Sequence, residues 1–303
     1  KTTEVRDMHG CVCKPEETRP LSGMNTDSKI LAICVRIKIN SKVAEWAHPS
    51  QRGFIMGRSL LHNVVDIEAQ SLLNAAYRTQ APATLLFDFK AAFPSLSRRY
   101  LFSRLKAVGF PQFIVKAIEA LYTDNMHFLR MQRHTIPAFV VKSGVRQGCP
   151  LSAAMFVIAS DAIVRFLSII AQPQDCVRAF ADDIAIAVRN LWTSMPALQN
   201  AFDIIGKATS LVLNNGKCVI IPAWCYTMRN LRALLREEGS SWSLFRIADT
   251  AIYLGFAVGP GARELDWVAP LRKYQERVHH VRSLGVGLAA TIICYNVFAV
   301  STL

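Results

Sequence analysis

A chain of 303 residues with 51% hydrophobic and 19% charged residues can bury a substantial core, which excludes an intrinsically disordered protein and leaves one large body of subdomains or two ordinary domains. The formal net charge of +13 favours a polyanionic partner, either nucleic acid or an anionic membrane surface, although the basic residues are too scattered to define a patch. Eight cysteines without paired CxxC spacing read as small core residues of a protein from a reducing compartment, and Cys11-Val-Cys13 near His9 lacks the second ligand pair of a zinc site.

In chain order, residues 1–50 read as a polar hairpin followed by an apolar segment, and apolar residues at helical spacing predict an amphipathic helix over 60–77. Thr84-Leu-Leu-Phe-Asp88 is an apolar run ending in an acid, so Asp88 lies where a buried strand emerges, a place where a turn or helix cap is the ordinary use of aspartate. Helical stretches follow near 97–108 and 111–122, then a hairpin near 126–142. Ser143-Gly144-Val-Arg-Gln147-Gly148-Cys-Pro150-Leu-Ser152 reads as a loop with a polar cap before an amphipathic helix over 153–170. Strands at 176–180 and 184–188 flank an Ala-Asp-Asp turn, and a helix near 196–209 precedes a strand at 218–221. Without the inserted hairpin, the order β-α-β-β-α-β is the split βαβ, ferredoxin-like arrangement. The final stretch, 283–303, is uncharged and long enough to span a bilayer, but its glycines, serines, threonines and Asn296 favour a helix of the folded body. The chain starts at lysine with no visible signal peptide, as a piece of a longer reading frame would.

Within this order the adjacent acids Asp182 and Asp183 stand out. Neighbouring carboxylates in an apolar stretch repel each other and lose hydration, so a cation or a strong donor set must offset the cost. With Asp88 on another strand end, metal chemistry is the natural use.

The blocks Phe87-Asp-Phe-Lys-Ala-Ala-Phe93, Arg146-Gln-Gly-Cys-Pro-Leu-Ser152 and Phe180-Ala-Asp-Asp183 resemble, in order and spacing, the A, B and C motifs of reverse transcriptases, and most closely those of the non-LTR (LINE-type) retrotransposon branch. Arg19-Pro-Leu-Ser-Gly-Met-Asn-Thr-Asp27 and Gln51-Arg-Gly-Phe-Ile-Met-Gly-Arg58 are similar to its fingers blocks, Leu213-Asn-Asn-Gly-Lys217 to motif D, and Tyr253-Leu-Gly255 to the primer-grip motif E. The likeness runs from about Lys14 to Gly255. Thr18 and Ala153 depart from the pattern, which touches loop geometry and no metal ligand.

The resemblance implies an α+β right-hand polymerase: fingers over 1–83, a ferredoxin-like palm over 84–255 with an insertion near 97–142, and the start of a helical thumb over 256–303. It implies an RNA-directed DNA polymerase using two Mg²⁺ ions, with Mn²⁺ a possible substitute, on an RNA template, a DNA primer and dNTPs, in the nucleus or a cytoplasmic ribonucleoprotein and without a membrane. Asp88, Asp182 and the carbonyl of Phe89 would hold the metals, with Asp183 supporting. Lys217 would protonate pyrophosphate, and Arg19 and Lys14 would hold the triphosphate. Phe93 would gate the sugar, Gln147 and Gly148 would lie near the nascent pair, and Gln51, Arg58, Tyr253, Leu254 and Gly255 would meet primer or template. A group II intron-type reverse transcriptase and a non-catalytic RNA-binding descendant are the competing readings.

Overall fold

The computed structural model describes residues 5–7, 10–12, 22–76, 80–131, 133–224, 226–262 and 268–300. Lys14 and Arg19 lie outside the described residues, as does Thr18. Strands β1 (Val5–Asp7) and β2 (Gly10–Val12) form the expected N-terminal hairpin, and the apolar segment after it contains helix α1 (Thr26–Trp46). Helix α2 (Leu60–Ala75) opens on Ser59, whose hydroxyl accepts a hydrogen bond from the Leu61 N–H and so satisfies one of the orphan donors of the first turn. Then come β3 (Ala83–Phe87), α3 (Ala92–Ser95), α4 (Arg98–Ala107), α5 (Gln112–Tyr122) and a ribbon of β4 (Met126–Met131) and β5 (His134–Val140). The remaining elements are α6 (Ser152–Ile170), β6 (Cys176–Phe180), β7 (Asp183–Val188), α7 (Leu191–Thr209), β8 (Val219–Pro222), α8 (Met228–Glu237), β9 (Arg246–Ile247), β10 (Ala251–Tyr253), β11 (Phe256–Val258), α9 (Val268–Ser283) and α10 (Leu288–Cys294).

The central sheet has the order β6-β7-β3-β8-β9. β3 is antiparallel to both β7 and β8, and β6 is antiparallel to β7, so crossovers through α6 and α7 give the ferredoxin-like order, with short β9 added parallel to β8. β3 is buried along its whole length, which is why it reads as an unbroken apolar run.

Helix α6 differs from the amphipathic expectation. It packs against α1, α4, α7 and β6, and it is buried nearly all round. Its polar residues find internal partners: buried Asp161 accepts hydrogen bonds from the His48 N–H at 2.6 Å and Arg165 Nε at 2.6 Å. Ser152 is the first helical residue rather than the cap, and its hydroxyl pairs with the Tyr122 hydroxyl at 3.2 Å. Among the described residues α6 is the one helix long and apolar enough to cross a membrane, and that apolarity lies in the core. The stretch after Ser283 instead forms the shorter apolar helix Leu288–Ala299, joined to α9 by a Tyr274–Tyr295 hydroxyl pair at 2.8 Å and by Arg277 stacked on Phe298. Helix α7 begins at Leu191 rather than near 196, because the Asn190 side chain accepts from the Trp192 N–H and starts the helix upstream of Pro196.

Candidate active site

The acidic residues are positioned by strand register. β3 and β7 pair with Phe87 opposite Ile184, and continuing the register by one residue sets Asp88 beside Asp183 at the mouth of the sheet. The turn between β6 and β7 holds two residues rather than three: Phe180 pairs with Asp183, Ala181 takes a left-handed φ of 57°, and Asp182 completes the turn. Asp183 is therefore the first residue of β7.

A cleft of about 410 Å³ is lined by Asp88, Asp183, Lys217, Arg246, Tyr253 and Leu254, among others. Burial pushes the Asp88 carboxyl above its ordinary range, countered by the Lys217 charge and the Asn214 side-chain amide. Its Oδ2 is buried with no hydrogen-bond partner. The Asp88 backbone is held firmly: its N–H donates to Cys218 Sγ at 3.4 Å, and its carbonyl accepts from the Asn214 N–H at 2.8 Å and from the Cys218 thiol at 3.7 Å. Burial in turn pushes the Cys218 thiol up to about 11, so it is a neutral brace. Phe89 bridges Leu213, flanked by hydrogen bonds from the Asn214 N–H to the Asp88 carbonyl and from the Lys90 N–H to the Val212 carbonyl. By backbone alternation the Phe89 carbonyl faces the other way, toward the β7 side.

Asp182, in the turn, is not among the residues that line this cleft. Among the described residues no three His, Cys, Asp or Glu side chains gather as a metal cluster. The oxygen donors that are present still fit a hard cation, above all the partnerless Oδ2 of Asp88, because Mg²⁺ needs only one or two carboxylates when water and substrate phosphates complete its shell.

Two residues expected at the primer or template turn inward. Gln51 is fully buried, its amide hydrogen-bonded to Ser160 and to the backbone of Gly53 and Ala181. Arg58 directs its guanidinium at the carbonyls of Ala44, Ala47, His48 and Gln51, at 2.6 to 3.0 Å, and so caps the end of α1. Tyr253 is also buried, its hydroxyl accepting from Asn63 Nδ2 at 3.3 Å; burial pushes the phenol up, Asn63 opposes that shift and the Asp183 charge adds to it. The β10–β11 turn is formed by Leu254 and Gly255, both at positive φ, with Gly255 exposed. Phe93 is half-buried, stacked on Phe156 at 4.5 Å and edge-on to Phe54 at 6.3 Å. The Gln147 backbone carbonyl accepts a hydrogen bond from the Ser22 N–H at 2.9 Å, and a Cβ on Gly148 would come within 2.8 Å of the Ser22 carbonyl oxygen. The glycine is therefore needed for that close approach. Sequence reasoning missed Asn214, Cys218 and Arg246; Asn214 and Lys217 share one quoted block, but neither Cys218 nor Arg246 carries a local signal.

A family model described as Reverse transcriptase (RNA-dependent DNA polymerase) matches residues 9–258. The chain belongs to the reverse transcriptase family. This reverse transcriptase is 29% identical over 209 residues to the Transposon TX1 uncharacterized 149 kDa protein of Xenopus laevis, covering 66% of this chain and 16% of that protein. It is 27% identical over 215 residues to the Retrovirus-related Pol polyprotein from type-2 retrotransposable element R2DM of Drosophila melanogaster, covering 69% and 20%. The reverse transcriptase thus spans a fifth or less of the curated relatives it matches, and both are transposon proteins, in keeping with the LINE-type branch. Its fold is shared with apo telomerase from Candida Tropicalis, at 13% identity and a TM-score of 0.53 over 77% of this chain and 39% of that one. The same telomerase truncated from its C-terminal domain gives 13% identity and 0.52 over 76% and 43%.

Proposed function

We propose that this reverse transcriptase copies RNA into cDNA on a DNA primer in the service of retrotransposition, in the nucleus or a cytoplasmic ribonucleoprotein. Residues 1–83 act as part of the fingers, 84–255 as the palm and 256–303 as the start of the thumb. The observation that carries this reading is the buried, partnerless Oδ2 of Asp88 beside Asp183 at the end of the sheet. Asp88, Asp182 and the Phe89 carbonyl would hold two Mg²⁺ ions, for which Mn²⁺ could substitute, with Asp183 supporting. When bound, such ions activate a primer 3′-hydroxyl and offset charge on the leaving pyrophosphate. Lys217, exposed at the cleft, serves as the proton donor to pyrophosphate. Phe93, backed by Phe156, limits room at the incoming sugar, while Gln147 and Gly148 face the nascent pair. Arg19 and Lys14 hold the triphosphate, and the Leu254–Gly255 turn meets the primer.

The test is extension of a DNA primer on an RNA template. Asp182→Asn should lower the rate at least a hundredfold, on the order of 3 kcal/mol. Full activity in that variant would remove Asp182 from the site, and RNA binding without extension by the unaltered chain would favour the non-catalytic descendant.

A further inference from the structure

The acidic turn is clamped from outside its own hairpin. Residues 50–52 run parallel to β6: the Ala179 N–H donates to the Ser50 carbonyl at 2.8 Å, and the Arg52 N–H donates to the Ala179 carbonyl at 2.9 Å. This brings the buried Gln51 amide onto the turn. Its Oε1 accepts from the Ala181 N–H at 2.9 Å and the Gly53 N–H at 2.9 Å, and its Nε2 donates to the Ala181 carbonyl at 3.2 Å and Ser160 Oγ at 3.2 Å.

One side chain thus satisfies both backbone groups of Ala181, the residue immediately before Asp182 and Asp183. Ala181 is buried, and its left-handed φ is unfavourable for a residue with a Cβ. Its N–H and C=O lie in the two-residue turn, outside the β6–β7 ladder, so without Gln51 two buried polar groups would lose these bonds in a strained conformation. The approach is backbone against backbone, because a Cβ on Gly53 would collide with the Ala181 nitrogen. Arg58 anchors the far end of the segment through the Gln51 and His48 carbonyls.

We propose that Gln51 is a positioning residue that fixes the Ala181 turn and thereby aims the Asp182 and Asp183 carboxylates that follow it. The value of that aim rests on the polymerase reading, whereas the clamp does not. Gln51→Met keeps the volume and removes all four hydrogen bonds. Gln51→Glu keeps the acceptor for both N–H groups and, neutral at this fully buried position, keeps one O–H donor in place of the amide's two. Both should remain folded, and both are measured without nucleic acid by hydrogen exchange of the peptide spanning 176–188.

Exchange of the turn should rise at least tenfold in Gln51→Met and by a smaller factor in Gln51→Glu, with rates in β3 unchanged. In primer extension normalised to folded protein, kcat should fall at least tenfold in Gln51→Met, less in Gln51→Glu, while the Kd for a primer–template stays within twofold. Unchanged exchange at the turn in a folded variant overturns the clamp. A raised Kd with kcat intact overturns it too, returning Gln51 to a nucleic-acid contact. If the unaltered chain does not extend a primer, the polymerase reading falls and the exchange result alone decides the clamp; should Gln51→Met fail to fold, Gln51→Glu carries every readout.

Discussion

Two antiparallel hairpins of similar length, β6–β7 and β4–β5, occupy opposite environments. In the first, β7 is paired on both edges, α2 packs against both strands, α6 packs against β6, and Gln51 holds the turn. In the second, the strands pair only with each other among the described residues, and every residue of β5 is exposed, including Ile136 and Phe139. The backbone ladders are of the same kind, so the ladder does not set rigidity. An isolated two-stranded ribbon is marginal in water, and burial on several sides makes the other a fixed platform. The fixed hairpin carries the carboxylates.

The largest expected break in this comparison is Asp88→Asn. It should lower primer extension at least a hundredfold, on the order of 3 kcal/mol, while raising Tm by about 2 °C, because a charge with a partnerless buried oxygen is removed. A thermal scan beside the extension assay checks this, and a fall of Tm in step with activity would make Asp88 structural instead.

A smaller effect should come from the support beneath the platform. Asp66 of α2 binds Arg178 of β6 at 2.6 Å and Arg52 at 2.7 Å, tying the helix to the strand and to the clamping segment. Burial pushes the Asp66 carboxyl up, but hydrogen bonds from Arg178 and Arg52 outweigh it, and the group titrates below its ordinary value of 3.8. A depressed carboxylate stabilises the fold above that value, and the contribution disappears as pH falls through the lower folded-state value. Asp66→Asn should therefore cost about 1–2 kcal/mol at pH 7. The gap should close on acidification below 3.8 in urea unfolding; a gap independent of pH would exclude the ion pair as its source.

The smallest effect belongs to the ribbon. Ile136→Thr should change stability by about 0.5 kcal/mol or less, as for an exposed site. A loss above about 1 kcal/mol in the same unfolding measurement would mean that the ribbon is packed in solution, and the contrast would dissolve.

The palm was legible because burial on both faces writes β3 as an apolar run and the acids interrupt apolar strands. What escaped was direction. A glutamine or arginine in a polar loop looks the same whether it faces solvent or the interior, so Gln51 and Arg58 read as nucleic-acid contacts. The same blindness made α6 look amphipathic, since Ser160, Asp161 and Arg165 count as polar until their partners on the 46–51 segment are seen. The acidic turn read as three residues because left-handed Ala181 offers no glycine to announce it. Asn190 is an ordinary N-cap whose signal lies upstream of the expected start, so that Pro196 falls inside α7.

The segment at 50–52 also closes a border. β6 ends the sheet on one side, and a border strand with unclaimed N–H and C=O groups is a template for a foreign strand. At Ala179 both groups on the outer side are already taken by Ser50 and Arg52, so an incoming chain finds its register blocked near the C-terminal end of β6. The opposite border, β9, is only two residues long. Damage to the Gln51 segment would thus expose a sticky edge as well as loosen the turn, and self-association would accompany the loss of catalysis.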